Sequence, residues 1–206
     1  MVSIGPSRLE RTWQTQYTGS GRNLVRDRVR LSSLDTNDLV WFDGRDDIEL
    51  TPEHYAAKGL RRFLPVGEDL LTLLGFYLAE GSCSDRNGIR FSIGRSNLPR
   101  VSEMSERLAR IFGLQPTFHA SASRAAELKV VNRVAAAAWQ RLFGFEAAES
   151  HTKRIPDLVF NVTEPLRLAF LRGYLLGDGT TAAGRIAFAT SSYDIASGLM
   201  YLLGSL

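Results

Sequence analysis

Leu73-Leu74-Gly75-Phe76-Tyr77-Leu78-Ala79-Glu80-Gly81-Ser82 and Leu171-Arg172-Gly173-Tyr174-Leu175-Leu176-Gly177-Asp178-Gly179-Thr180 are two versions of one decamer, 98 residues apart. The likeness continues beyond them. With a one-residue gap, Ile89-Arg90-Phe91-Ser92-Ile93 falls on Ile186-Ala187-Phe188-Ala189-Thr190, and a helical pattern follows each. A repeat is an architectural signal before it is a chemical one, and two copies of a unit usually pack about a pseudo-twofold axis. Each decamer carries a small-xxx-small pair, Gly75 with Ala79 and Gly173 with Gly177. Residues at i and i+4 share a helix face, and small ones let two backbones come close. Glycine inside a helix costs about 1 kcal/mol relative to alanine. Close approach of the two helices is a sufficient reason to keep it.

Next in each copy comes an acid, Glu80 or Asp178, and then a glycine, Gly81 or Gly179. Glycine just past a helix end predicts a left-handed cap, which places the acid at the helix C-terminus. The dipole there is negative, so each charge is misplaced by about 0.3–1 kcal/mol. Two such ends brought together by their small faces call for a cation. Oxygen-only ligands suit magnesium, manganese or calcium and not zinc. The backbone carbonyls of Ala79 and Gly177 could complete the set. One apolar helix ending in acid-glycine is ordinary core; two in register, each followed by a matching strand and helix, point to a metal dyad.

The paired decamers resemble the two motifs of the LAGLIDADG (dodecapeptide, DOD-type) homing endonucleases, the double-motif kind usually found in inteins. Leu-Leu-Gly-Phe-Tyr-Leu-Ala-Glu-Gly is similar to the first motif, and Leu-Arg-Gly-Tyr-Leu-Leu-Gly-Asp-Gly to the second. The resemblance covers roughly residues 65–206. It implies an α/β (α+β) fold of two αββαββα-like repeats. The motif helices form the interface (Gly75, Ala79, Gly173 and Gly177), and antiparallel sheets form a saddle over double-stranded DNA. It implies phosphodiester hydrolysis with Mg²⁺ (or Mn²⁺) by metal activation of water, with Glu80 and Asp178 as ligands. The family often sets a basic residue near the scissile phosphate. Lys153, in His151-Thr152-Lys153-Arg154-Ile155-Pro156, resembles the family's Lys-x-Ile-Pro segment ahead of the second motif. It could polarise water or neutralise a phosphate, the alternative being a solvated loop lysine. His151 reads as inert.

Base reading would fall to the strands after each motif, one sheet face meeting the helices and the other the major groove. Arg90 and Ser92 alternate with Ile89, Phe91 and Ile93, so the polar pair faces outward. Arg86, Arg95, Lys129 and Arg133 are further candidates for phosphate or base contacts. In the second copy only Arg185 is basic, and Ala187 and Ala189 stand on the corresponding face.

Composition permits this reading without requiring it. The 206 residues are 44% hydrophobic and 23% charged, as in a globular chain. Net charge is +3, and the cations are 22 arginines against three lysines, Lys58, Lys129 and Lys153. Arginine's planar fork suits phosphates and guanine edges, although a GC-rich genome would favour the same codons. One cysteine, Cys83, excludes a disulfide framework or a Cys-rich zinc site. No apolar run reaches the roughly 18 residues of a membrane helix, and the polar N-terminus lacks a signal peptide's apolar core. A cytoplasmic protein without a membrane partner is the expectation.

Residues 1–67 read as a leader, with Arg22, Arg26, Arg28 and Arg30 clustered, a strand over 24–31, a turn at 33–38 and an Asp/Gly loop at 41–47. It resembles, faintly, a remnant of an intein splicing domain or a linker. From there the patterns predict helices over 68–79, 99–112, 133–143, 165–176 and 192–203. They predict strands over 82–85, 89–93, 116–120, 127–131 and 185–190, with Ile155-Pro156-Asp157 opening a short segment. The first repeat spans 68–163 and the second 164–206, where it is truncated before its later strands and any second lysine. A nucleophile at a splice junction and a terminal His-Asn pair are lacking too, so splicing by this chain is not expected. The expectation is a monomer with an internal pseudo-twofold, unless truncation forces association. Three functions fit: a homing-type endonuclease impaired by truncation, a non-catalytic nucleic-acid-binding regulator or maturase-like protein on the same fold, or an inactive relic.

Overall fold

A computed structural model describes residues 2–3, 28–29, 48–51, 59–84, 87–120, 125–146 and 150–206. The chain divides into two compact units, Met1–Leu64 and Pro65–Leu206. In the first, β1 (Val2–Ser3), β2 (Arg28–Val29), β3 (Glu49–Leu50) and β4 (Leu60–Arg61) form an antiparallel sheet of order β2-β1-β3-β4. The strand expected over 24–31 is described only at Arg28–Val29. The turn at 33–38 and the loop at 41–47 lie outside the described residues.

The second unit opens with α1 (Glu68–Glu80), then β5 (Gly81–Ser84) and β6 (Gly88–Ile93). A 3-10 turn (Arg95–Arg100) leads into α2 (Val101–Phe112), followed by β7 (Thr117–His119), β8 (Ala126–Val130) and α3 (Arg133–Phe143). After the single-turn helix α4 (Asp157–Phe160), the unit begins again with α5 (Glu164–Asp178), β9 (Gly179–Ala182), β10 (Arg185–Phe188) and α6 (Tyr193–Gly204). The protein is a mixed α/β chain whose sheets are antiparallel. The first repeat has the sheet β5-β6-β8-β7, whereas β9 and β10 form a two-stranded sheet. Among the described residues no helix is long and apolar enough to cross a membrane.

The repeat seen in the sequence is a repeat in space. Gly81 pairs with Phe91 and Gly179 with Phe188, so the two hairpins share a register. Phe91 stacks on Phe76 with ring centroids 5.9 Å apart, and Phe188 packs on Tyr174 at 5.7 Å. The one-residue gap falls in the hairpin turns. Three residues join β5 to β6, while Ala183 and Gly184 alone join β9 to β10, both at positive φ (51° and 73°). That is the twist a two-residue hairpin needs.

The helix expected from Pro99 starts as α-helix only at Val101. Pro99 lacks an N–H to donate and lies inside the 3-10 turn. At α3 the ends fall where the caps dictate. The Asn132 side chain accepts from the N–H groups of Val134 and Ala135, and Gly144 closes the helix in the left-handed region. The core gathers around Trp139, which is fully buried among Tyr77, Phe112, Phe143 and Phe145.

Candidate active site

Helices α1 and α5 lie against each other along the small faces of the decamers. A Cβ added at Gly75 would stand 2.0 Å from the carbonyl oxygen of Phe170 and 2.7 Å from the Tyr174 nitrogen. One added at Gly173 would stand 2.0 Å from the Thr72 carbonyl oxygen. Farther along, a Cβ at Gly177 would meet the Ala79 methyl and approach the Glu80 Cγ to 3.0 Å. Backbone meets backbone at the first two positions, which is why only glycine fits there.

This contact carries Glu80 and Asp178, the last residues of α1 and α5, to one place. Burial raises the Glu80 carboxyl above its ordinary pKa, the Asp178 charge raises it further, and Lys153 opposes both. Burial likewise raises Asp178, against a hydrogen bond from Tyr174 and the Lys153 charge. The Tyr174 hydroxyl lies 3.5 Å from Asp178 Oδ2 and donates to the Ala189 carbonyl at 3.0 Å.

The glycines beyond the acids correct one expectation. Gly81 and Gly179 are extended, at φ −93° and −104°, not left-handed. Each helix runs straight into a strand, and the glycine makes room. A Cβ at Gly81 would strike the Tyr77 ring, and one at Gly179 would strike the Leu175 side chain. Their N–H groups still close the helices, donating to Tyr77 O and Leu175 O.

The negative ends of the two helices are met by dedicated donors. Lys153 is buried, with 6% of its surface exposed, and is not a solvated loop lysine. Its Nζ donates to the carbonyls of Tyr77 (3.2 Å), Leu78 (3.2 Å) and Gly81 (2.7 Å), so its three N–H bonds are all engaged. It also lies 5.1 Å from the centroid of the Tyr77 ring. Burial pushes its pKa down to about 8, with Asp178 and Glu80 restraining the fall. On α5 the buried Asn97, from the first repeat's 3-10 turn, donates through Nδ2 to the Leu176 carbonyl at 2.8 Å. The Lys153 backbone is itself held by Ser192, whose hydroxyl donates to the Lys153 carbonyl at 2.6 Å and accepts from Ile195 N–H at the start of α6. Neither Asn97 nor Ser192 stood out in the sequence. Ser192 carried a signal, a serine just ahead of an apolar helix; Asn97 carried none.

The polar face of the first sheet holds Arg90, Ser92 and Lys129 together, by the register Arg90↔Lys129 and Ser92↔Glu127. Glu127, two residues before Lys129 and so on the same face, pairs with both Arg90 and Lys129. The other candidates stand apart. Arg95 opens the 3-10 turn, Arg133 is the first residue of α3 and Arg185 starts β10, all exposed. Arg86 lies outside the described residues, and His151 is exposed.

Among the described residues no three His, Cys, Asp or Glu side chains cluster to hold a metal. Protein ligation would rest on the two carboxylates and nearby backbone carbonyls, Ala79 and Gly177 being the residues just before them. That donor set suits a hard cation that keeps several waters and binds through one or two carboxylates plus substrate phosphate.

The profile of a family described as LAGLIDADG-like domain matches residues 165–206. The DNA polymerase of Thermococcus sp. (strain GE8) is 30% identical over 199 residues, which cover 89% of this chain and 11% of the polymerase. That of Thermococcus hydrothermalis is 30% identical over 224 residues, covering all of this chain and 13% of the polymerase. That of Thermococcus kodakarensis is 33% identical over 150 residues, 69% of this chain and 8% of the polymerase. The chain thus spans a small fraction of the length of the curated relatives it matches.

Proposed function

On the premise that the chain carries a LAGLIDADG-like domain, we propose that it is an intein-derived, homing-type endonuclease that cuts both strands of a specific DNA site. The reading is carried by Glu80 and Asp178, one from each copy of a repeated unit, which share a single electrostatic neighbourhood where two glycine-packed helices end. The matched stretch is 13% or less of each Thermococcus polymerase, which suits an insert carried within a polymerase chain.

Glu80 and Asp178 would hold Mg²⁺, or Mn²⁺, against a scissile phosphate. Such an ion, when bound, supplies a nucleophilic hydroxide near neutral pH and stabilises the leaving oxygen. The chain's own groups set the conditions. Two carboxylates and the Lys153 ammonium leave one net negative charge, enough to attract a divalent ion and leave a positive site for a phosphate. Lys153 acts through its charge and through fixing the end of α1, because its donors are spent on carbonyls. The Arg90–Ser92–Lys129 face would meet the major groove, with Arg86, Arg95, Arg133 and Arg185 as phosphate contacts.

The test is nicking by the purified full chain of a plasmid library carrying randomised targets. Cleavage should require Mg²⁺ and disappear in Glu80→Gln and in Asp178→Asn. Cleavage that persists in both variants refutes the dyad. A second reading is a domain that binds DNA without cutting, favoured by the two-stranded sheet of the second repeat. It predicts binding with a steep salt slope and no cleavage at any Mg²⁺ concentration.

A further inference from the structure

The reading face of the first sheet is braced by its own side chains. Arg90 Nε donates to the Ser82 hydroxyl at 2.9 Å, and its Nη1 donates to Glu127 Oε1 at 3.2 Å. Lys129 pairs with the same carboxylate, which its hydrogen bond and charge keep ionised, below the usual pKa range. A guanidinium has five N–H bonds in a rigid plane. Among the described residues two are engaged here, leaving one on Nη1 and both on Nη2. That free end is a fork, the shape that matches the two major-groove acceptors of guanine. A side chain fixed before binding loses less freedom on binding.

The second sheet carries the same scaffold without the reader. Its register sets Ala187 opposite Thr180 as the first sets Arg90 opposite Ser82. A hydroxyl residue occupies the bracing position in both hairpins, but Ala187 has nothing to brace. A methyl group at that point offers apolar contact to thymine.

Resting on the endonuclease reading above, we infer that Arg90 is a specificity-determining residue that reads a guanine in one half-site, and that Ala187 accepts an A·T pair at the position related to it by the pseudo-twofold. The target is then asymmetric at this pair of positions, whatever symmetry it has elsewhere. Ser82 and Glu127 are positioning residues for Arg90.

The test is selection of a randomised duplex library on the full chain without divalent metal, so that binding is read without cutting. The enriched sites should carry a fixed guanine in one half and A·T at the related position. Arg90→Lys keeps the charge and loses the fork, so it should hold non-specific affinity while weakening the enriched site about tenfold or more. Ala187→Arg should bring a second guanine, making the pair of positions symmetric. Enriched sites lacking this asymmetry, or an unchanged guanine preference in Arg90→Lys, overturn the inference and leave the endonuclease reading standing. Retention of the library with no enriched sequence overturns the inference together with the site-specific part of that reading.

Discussion

Gly75→Ala opposes two effects whose sizes can be worked out. Helix propensity favours alanine by about 1 kcal/mol. Against that, the new Cβ would stand 2.0 Å from the Phe170 carbonyl oxygen, where non-bonded heavy atoms prefer about 3.5 Å. Both the oxygen and the Tyr174 nitrogen, 2.7 Å away, are backbone, so no rotamer change relieves the clash. Helices α1 and α5 must part by more than about 1 Å, and overpacking of this kind costs about 1–3 kcal/mol, occasionally more. A 2.0 Å approach to backbone puts the cost in the upper part of that range, about 2–3 kcal/mol, so that Gly75→Ala should destabilise by about 1–2 kcal/mol net. Gly173→Ala, whose Cβ meets the Thr72 carbonyl oxygen at 2.0 Å, should behave alike. The double variant should cost less than the two together, because helices parted for one methyl have room for the other. Gly204→Ala is the control. It lies in α6 with no atom of the described residues within 4 Å of the added carbon, and should gain up to about 1 kcal/mol. Urea unfolding of the full chain measures all four, read as midpoint shifts at constant slope. A Gly75→Ala protein as stable as the parent, or a strictly additive double variant, would show that the two backbones do not meet.

Two further outcomes follow from the same neighbourhood. Ala183 holds φ 51° in the β9–β10 turn ahead of Gly184, a conformation that costs a side-chain-bearing residue about 1 kcal/mol and that asparagine tolerates. Ala183→Asn should therefore raise the melting temperature, and a fall would contradict the turn assignment. Lys153 has its pKa lowered from 10.5 to about 8 by burial, so between those values the unfolded chain binds more protons than the native one. Unfolding free energy then rises with pH across that window, and the penalty, fully present below pH 8, fades above it. The stability of the parent relative to Lys153→Met should grow by about 3 kcal/mol between pH 8 and 10.5; a flat difference would mean that Lys153 is solvated.

What could be seen in the sequence was whatever depends on neighbours along the chain. The span of α3 was legible because Asn132 and Gly144 punctuate it. The alternation of β6 was legible because period two is a local property, and Ile89, Phe91 and Ile93 are indeed the buried set. Partnerships across tens of residues were not. The three carbonyls that hold Lys153 belong to residues 72 to 76 positions earlier, and a carbonyl has no signature in a sequence. The conformation of the glycines after the acids is not legible, because two causes, positive φ and a tight passage from helix to strand, favour the same residue. Ile186 shows a third limit. Its counterpart Ile89 is 0% exposed and it is 61% exposed, because α3 packs against β6 and β8 flanks it, whereas among the described residues β10 is flanked by β9 alone.

The two halves also show where a fused pair can diverge. At the helix interface each half presents glycine to the other's backbone, at Gly75 and Gly173, and any larger residue on either side separates both. The halves are therefore bound to the same solution there. Away from that contact they differ at every level: Glu80 against Asp178, the charged Lys153 cap against the neutral Asn97, Phe76 against Tyr174, Arg90 against Ala187. Two identical chains related by a twofold could hold none of these differences, since each substitution would appear twice. The covalent link removes that restriction. The Lys153 ammonium counters the negative end of α1 with a full charge, while Asn97 offers α5 a single neutral donor. The electrostatic field at the dyad is thus lopsided, on the same two repeats whose sheets present unequal faces. On the endonuclease reading proposed above, a centre of that kind would treat the two strands of a duplex unequally, whereas an exact dimer presents the same surroundings to both.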